Sequence, residues 1–434
     1  MDLSLQECIE NSSHWLEEIQ NKDDGGWGQY KGADSNCLNT SEAIIALLET
    51  GMKDPGDQAI QLGAKYLIEH QLSANNCADR EHYGAWARNV LLQDSDRVLH
   101  ISDAVRTSLA VLALKLAGVS LHNPAIIQGI EWLIHTQNID GGWGYTRNHE
   151  SHLFPTCITL KTLLKICPLD NTSDYSLCRN SNLEKVILDA FKHIRTYRNN
   201  DGSFGKEPGL LVPHTLHVID LINMADKQDS FIPKMYFKDI KPAIDWIEDN
   251  KKYVLQWTTE IVSIGESRHS TYNYTFSHIN PSLYLRFVLP IVLEKVGSKF
   301  NSENALARYA LEATLDNIDD PSSNSQGFCA KRPVSWATSH TITGLSKAKS
   351  TYINFPEREL PSTKLTERHY LLLFLIFIII LSTILSLLDK LSGLQSTLFL
   401  LAILALLLIY GYISERSFIG LIQNKIQFNK EISE

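Results

Sequence analysis

Along the first 350 residues, apolar and polar positions follow two textures. In one, apolar residues recur every three or four places among charged ones, as in SHWLEEIQ at 13–20; this is the pattern of a helix with a single buried face. In the other, small and apolar residues run almost without a break. TSEAIIAL at 40–47, TSLAVLAL at 107–114, TCITLKTL at 156–163, HTLHVIDL at 214–221 and TSHTITGL at 338–345 align without gaps, with PSLYLRFV at 281–288 as a poorer sixth. Helices that carry so little polar surface have to be enclosed by neighbours.

The two textures alternate, and a short signature joins them. An aromatic followed five residues later by Gln occurs at Trp15/Gln20, Tyr66/Gln71 and Trp132/Gln137, and a glycine–aromatic turn comes next: DDGGWG at 23–28, YGAWA at 83–87, DGGWG at 140–144. A weaker copy has His193, Arg198 and DGSFG at 201–205. Two degenerate copies lead from Ala243 and Trp246 to Gln256 and Trp257, and from Ala305 and Tyr309 to Gly327 and Phe328. Each unit reads as helix, glycine-rich turn, helix, with a period of roughly 50 to 65 residues. Glycine lets the chain reverse through positive φ, and the aromatic covers the helix end just made.

Six such hairpins bury their apolar helices best by closing into a ring with those helices inside. An open superhelix would need polar capping repeats at both ends. The expected fold is therefore all-α: an α/α toroid of about six helical hairpins over residues 1–350, with Trp27, Trp143 and Phe204 at outer turns and 43–47 inside.

The texture changes again near the C-terminus. Residues 370–388 and 394–413 hold no charged side chain, and 19 residues of helix span about 28 Å, enough to cross a hydrocarbon core. With only five residues between them, the two runs are expected to form a transmembrane helical hairpin. A linker at 351–369 precedes it and a tail at 414–434 follows. Lys364 and Arg368 before the hairpin, and Arg416, Lys425 and Lys430 after it, place both ends and the toroid in the cytoplasm of a multi-pass membrane protein. The start, MDLSLQECIE, has no cationic segment leading into an apolar run, so no secretory signal is expected. The seven cysteines include no CxxC pair, as reduced thiols would. A formal charge of −9 argues against nucleic acid as a partner.

The aromatic-x4-Gln and Gly-Gly-Trp-Gly elements resemble the QW repeat of squalene and oxidosqualene cyclases, and the six-hairpin toroid also occurs in protein prenyltransferase β subunits. The resemblance covers residues 3–349 and implies an isoprenoid substrate in a central cavity, with chemistry at the N-terminal ends of the inner helices. The residues that would carry that chemistry are mostly missing. Cyclases of the squalene–hopene type place a DxDD acid just before an inner-helix Thr; here DAVR precedes Thr107, so only Asp103 matches and Arg106 stands where a carboxylate belongs. Asn317-Ile318-Asp319-Asp320 precedes a turn instead and reads as a solvated loop. The Asp-x-Cys of a prenyltransferase zinc site does not occur, Cys37 and Asp34 have the wrong spacing, and the GCGEQ thioester of complement-like toroids is absent.

No metal or other cofactor is therefore expected. The candidate catalytic residues are Asp103, His214 and His340, with Arg106 and Trp336 as ligand contacts, since Arg106 pairs well with phosphate oxygens. The expected ligand is an isoprenoid or another lipid delivered from the membrane. A non-catalytic toroid that binds another protein or senses a lipid is the alternative.

Overall fold

The computed structural model describes residues 5–91, 98–167, 181–227, 240–267, 270–296, 305–315 and 334–351, all within one compact unit, Leu3–Arg358. Six helices carry the apolar texture: α2 (Cys37–Glu49), α4 (Ala104–Leu116), α6 (Leu153–Ile166), α8 (Leu211–Lys227), α10 (Asn280–Phe287) and α13 (Ser335–Thr351). Each packs against the next in chain order, and α13 packs against α2, so the ring closes. The amphipathic helices α1 (Leu5–Glu18), α3 (Gln58–Glu69), α5 (Pro124–His135), α7 (Ser181–Arg195), α9 (Lys241–Asp249) and α12 (Ala305–Leu315) form an outer layer. A further helix, α11 (Leu289–Val296), continues from α10 and packs on α13.

The repeat signature is a set of hydrogen bonds. The turn aromatics Trp27, Trp86 and Trp143 are buried, and their indole N–H groups donate to the carbonyls of Leu16, Leu67 and Leu133 at 2.7–2.8 Å, on the outer helix just completed. Their backbone N–H groups donate to the hydroxyls of Thr40, Thr107 and Thr156 on the following inner helix, and Phe204 does the same to Thr215. The glutamines join successive repeats. Gln20 donates to Gly25 O and Ala59 O, Gln71 to Gly84 O and Ala125 O, and Gln137 to Gly141 O and Val186 O, all at 2.7–2.8 Å. Each amide thus ties its own turn to the next outer helix. Glycine is required there by space as well as by backbone: Gly141 has φ +88°, and a Cβ on it would lie 2.3 Å from Asp189 O of α7.

Three features depart from the sequence reading. First, the chain is not all-α. Hairpin β1–β2 (Ala87–Leu91, Val98–Ser102) follows the second turn aromatic, and β3–β4 (Trp257–Ser267, Ser270–Ile279) stands where the fifth turn was expected at Gln256 and Trp257. The residues after Trp257, TTEIVS and then TYNYTF, are rich in β-branched and aromatic types that favour extended chain. Second, Thr215 rather than His214 is equivalent to Thr40, Thr107 and Thr156, because it accepts the turn N–H; the fourth inner helix is shifted by one residue from the gap-free alignment. Third, Cys167 is disulfide-bonded, whereas Cys8, Cys37, Cys77 and Cys157 are free. The linker at 351–369 apart from Thr351, the two spans at 370–388 and 394–413, the tail, Asp319 and Asp320, and the sixth turn at Gly327 and Phe328 lie outside the described residues. Among the described residues no helix is long and apolar enough to cross a membrane.

Toward the C-terminal ends of the inner helices the ring is fastened by charge. Glu49 of α2 accepts from Lys165 of α6 at 2.8 Å and from Arg286 of α10, while Lys161 of α6 pairs with Asp220 of α8. Burial opposes ionisation of Glu49, but the charges of Arg286, Lys165 and Lys161 outweigh it and hold the carboxyl well below the usual range.

Two stability predictions follow from these contacts. Gln71→Leu leaves two carbonyls without their donor and should cost about 1–3 kcal/mol per acceptor in thermal or urea unfolding. Glu49→Gln should destabilise the ring by about 1–3 kcal/mol near neutral pH, since it removes the carboxylate that pairs with the half-buried Lys165 and Arg286. A depressed carboxyl contributes stability that is present above its unfolded pKa of about 4.3 and lost as pH falls below it. Unfolding midpoints of wild type and Glu49→Gln should therefore converge in acid, and a gap independent of pH would show that Glu49 is not ionised.

Candidate functional site

The ring encloses a cavity of about 840 Å³. Its wall is built from repeated helical positions. Counting two residues on from each inner-helix Thr gives Glu42, Leu109, Ile158, His217 and His340, with Leu283 at the matching place of α10. Counting five gives Ile45, Leu112, Lys161, Asp220 and Thr343, with Arg286 on α10. All of these except Asp220 line the cavity, because a step of three residues returns to nearly the same face of a helix. Phe154, Phe287 and Trp336 add aromatic surface. Cys37 also faces it, but burial pushes its thiol up to about 12 against the opposing charge of Arg106, so no thiolate nucleophile is available near neutral pH.

At the N-terminal ends of the inner helices the candidate residues divide into two groups. Arg106, Trp336 and His340 line the cavity, with His340 Nε2 3.2 Å from Glu42 Oε1 and the Trp336 ring edge-on to Trp257 at 6.0 Å. Asp103 and His214 are not on its wall. Asp103 is fully buried and caps α4: Oδ1 accepts the Arg106 backbone N–H at 2.9 Å, and Oδ2 accepts from the Arg106 guanidinium. Burial raises the Asp103 pKa while Arg106 opposes the rise. An N-cap residue turns its carboxylate back toward its own helix, which takes Asp103 away from the cavity.

His214 faces Glu260, a residue of β3 that the repeat pattern did not reveal. Glu260 Oε2 lies 3.5 Å from His214 Nε2 and 3.4 Å from Nε2 of His278 on β4. Burial works against ionisation of Glu260, yet the two histidines beside it hold its carboxyl well below the usual range. Burial also depresses His278, against the pull of Glu260. His278 and Phe276 line the cavity, and Phe276 stacks on Tyr145 at 5.1 Å, so the β3–β4 hairpin forms part of the wall. Among the described residues no group of His, Cys, Asp and Glu could hold a metal ion.

The other residues missed in the sequence are Lys161, His217 and Arg286. Lys161 and Arg286 fall in one column of the inner-helix alignment, each the single charge in an otherwise uncharged run, and that column was the available signal. His217 was hidden by the one-residue shift, which drew attention to His214 instead.

No family model matches the chain. A probable squalene–hopene cyclase of Sinorhizobium fredii (strain NBRC 101917 / NGR234) is 26% identical over 156 residues, covering 32% of this chain and 21% of the relative. The squalene–hopene cyclase of Bradyrhizobium diazoefficiens is 28% identical over 155 residues, with the same coverages. The matched stretch thus spans about a fifth of each relative's length. Among solved structures, a sugar epimerase from a ruminal bacterium superposes with a TM-score of 0.51 at 11% identity, covering 81% of this chain and 98% of that one. A type II terpene cyclase from Scytonema gives 0.48 at 14% identity, covering 80% and 99%. The epimerase shares the fold alone, and about a third of the chain is similar in sequence to squalene–hopene cyclases within a closed helical toroid.

Proposed function

We propose that this protein is a membrane-anchored toroid that takes an isoprenoid or another lipid into its central cavity. The observation that carries this reading is the cavity itself. Its volume lies in the range of small-molecule sites, and Ile45, Leu109, Leu112, Ile158 and Leu283 give it apolar walls where a solid core would have filled the ring. The similarity to squalene–hopene cyclases supports the ligand class.

The reading stops at binding. Protonating an alkene needs a neutral carboxylic acid facing the substrate. Asp103 stands behind the wall with both oxygens engaged by Arg106, which favours a non-catalytic lipid-binding or lipid-sensing toroid over a cyclase. Arg106, Trp336 and His340 are the ligand contacts in this proposal. Asp103 positions Arg106, and His214 supports Glu260.

In this proposal the charge-free runs at 370–388 and 394–413 are the membrane anchor, and the cations flanking them support both termini on the cytoplasmic side. The disulfide at Cys167 is the observation that points toward an oxidising compartment instead.

Two experiments test the proposal. Membranes containing the protein are incubated with prenyl diphosphates and squalene, the protein is purified, and bound lipid is extracted for mass spectrometry. Wild type should retain lipid, and Ile158→Trp, which fills the cavity at an overpacking cost of about 1–3 kcal/mol, should lose most of it. Equal retention by both would place the lipid elsewhere. For orientation, a membrane-impermeant maleimide applied to intact cells should label Ser392→Cys and spare Ser433→Cys, and the reverse pattern would put the toroid outside.

A further inference from the structure

The wall formed by α6, α8 and α10 is unlike the rest of the cavity. Lys161 and Arg286 both line it, along with His217 between them on the neighbouring helix. The Lys161 ammonium donates to Asp220 and lies 4.5 Å above the Phe287 ring; Arg286 donates to Glu49 through Nη2. His217 packs its ring 5.5 Å from the same Phe287 and 5.1 Å from Phe154. It is only 6% exposed, and its Nε2 has no hydrogen-bond partner. Ser339, 2% exposed on the same cavity, also leaves its hydroxyl oxygen unpartnered. Buried polar atoms are normally satisfied, so orphans facing a cavity point to a polar occupant.

The charges do not balance either. Three cations, Lys161, Lys165 and Arg286, face two carboxylates, Glu49 and Asp220. Lys115 adds a fourth cation behind them, its ammonium donating to the Lys165 carbonyl. Both carboxylates already hold cations, which leaves the wall with a surplus positive charge.

We propose that the cavity takes an amphiphile with a terminal oxyanion, a carboxylate or a phosphate, and that Lys161, His217 and Arg286 bind this head group while the apolar chain lies along Leu109, Ile158 and Leu283. This deepens the lipid-binding reading and rests on it. Each donor has a distinct part. Arg286 uses one edge of its guanidinium on Glu49 and keeps the rest of its planar fork for the anion. Lys161 contributes charge. Burial, with His278 and Lys161 adding to it, depresses the His217 pKa far enough to keep the ring neutral, so it donates one N–H without adding charge, and the oxyanion selects the Nε2–H tautomer. A neutral hydrocarbon would leave His217 Nε2 and the free edge of the Arg286 guanidinium desolvated and unmet.

The test uses the full chain in detergent and three probes with one hydrocarbon chain: farnesol, farnesoic acid and farnesyl phosphate. Wild type should bind the acid and the phosphate about ten-fold or more tighter than the alcohol, as expected for charge-assisted contacts. Arg286→Met, in which Glu49 keeps Lys165, should bring the three affinities together and leave farnesol unchanged. His217→Phe removes a group with no protein hydrogen bond, so it should fold normally and lose part of the preference. Equal binding of all three probes by wild type, or an undiminished preference in both variants, would overturn the head-group site and leave the lipid reading standing. Failure of all three to bind would remove both. Inorganic phosphate competing as well as farnesyl phosphate would keep the oxyanion site and remove the lipid reading.

Discussion

A single hydrogen bond, repeated at four of the six inner helices, sets where those helices point. The hydroxyls of Thr40, Thr107, Thr156 and Thr215 each accept the backbone N–H of the turn aromatic before them. That bond fixes the rotation of the helix relative to its turn. It thereby decides that the second and fifth residues beyond each of these Thr residues, Asp220 excepted, line the cavity. The indole donors and glutamine amides then lock the turn to the outer helix behind it and to the next repeat, so position propagates from one hairpin to the following one. The cavity is what remains when the six inner helices of the closed ring are too far apart to fill the middle with their own side chains.

The interior built on that frame combines two environments. Most of the wall is aliphatic or aromatic, and the Ile101, Val105, Tyr145 and Phe154 cluster continues it beneath the β3–β4 hairpin. Against this stands the Glu49, Lys161, Lys165, Asp220 and Arg286 network. Buried ion pairs are a costly means of stabilisation, because desolvation consumes much of the Coulombic gain. A ring fastened only by packing could have used apolar residues at these positions, as α4 does with Leu112. Retaining charge in the enclosed space fits a site that recognises a polar feature of its occupant.

The β3–β4 hairpin changes the chemistry available at the N-terminal ends of the inner helices. It replaces the fifth glycine turn and carries Glu260 between His214 and His278, placing an ionised carboxyl among buried imidazoles. Glu260 and His278 of this arrangement come from a strand pair, and only His214 comes from an inner helix.

The amino-acid pattern by itself determined the alternation of outer and inner helices, the closure of the ring and the place of the turn aromatics over the helix ends, while the structure showed that the Gln and Thr positions stitch the repeats together. These depend on local periodicity and on residues whose hydrogen bonds reach only the adjoining turn or repeat. It also contained Arg106, Trp336 and His340 as residues at the opening of buried helices. Only the tertiary structure decided that Asp103 turns away from the cavity as an N-cap and that the fourth helix is displaced by one residue, which exchanges His214 for His217. The same holds for Lys161, Glu49 and Arg286, more than a hundred residues apart along the chain between Glu49 and its nearest partner, which meet in one network. Such contacts depend on the distance across the ring, and no periodicity along a single helix encodes that distance.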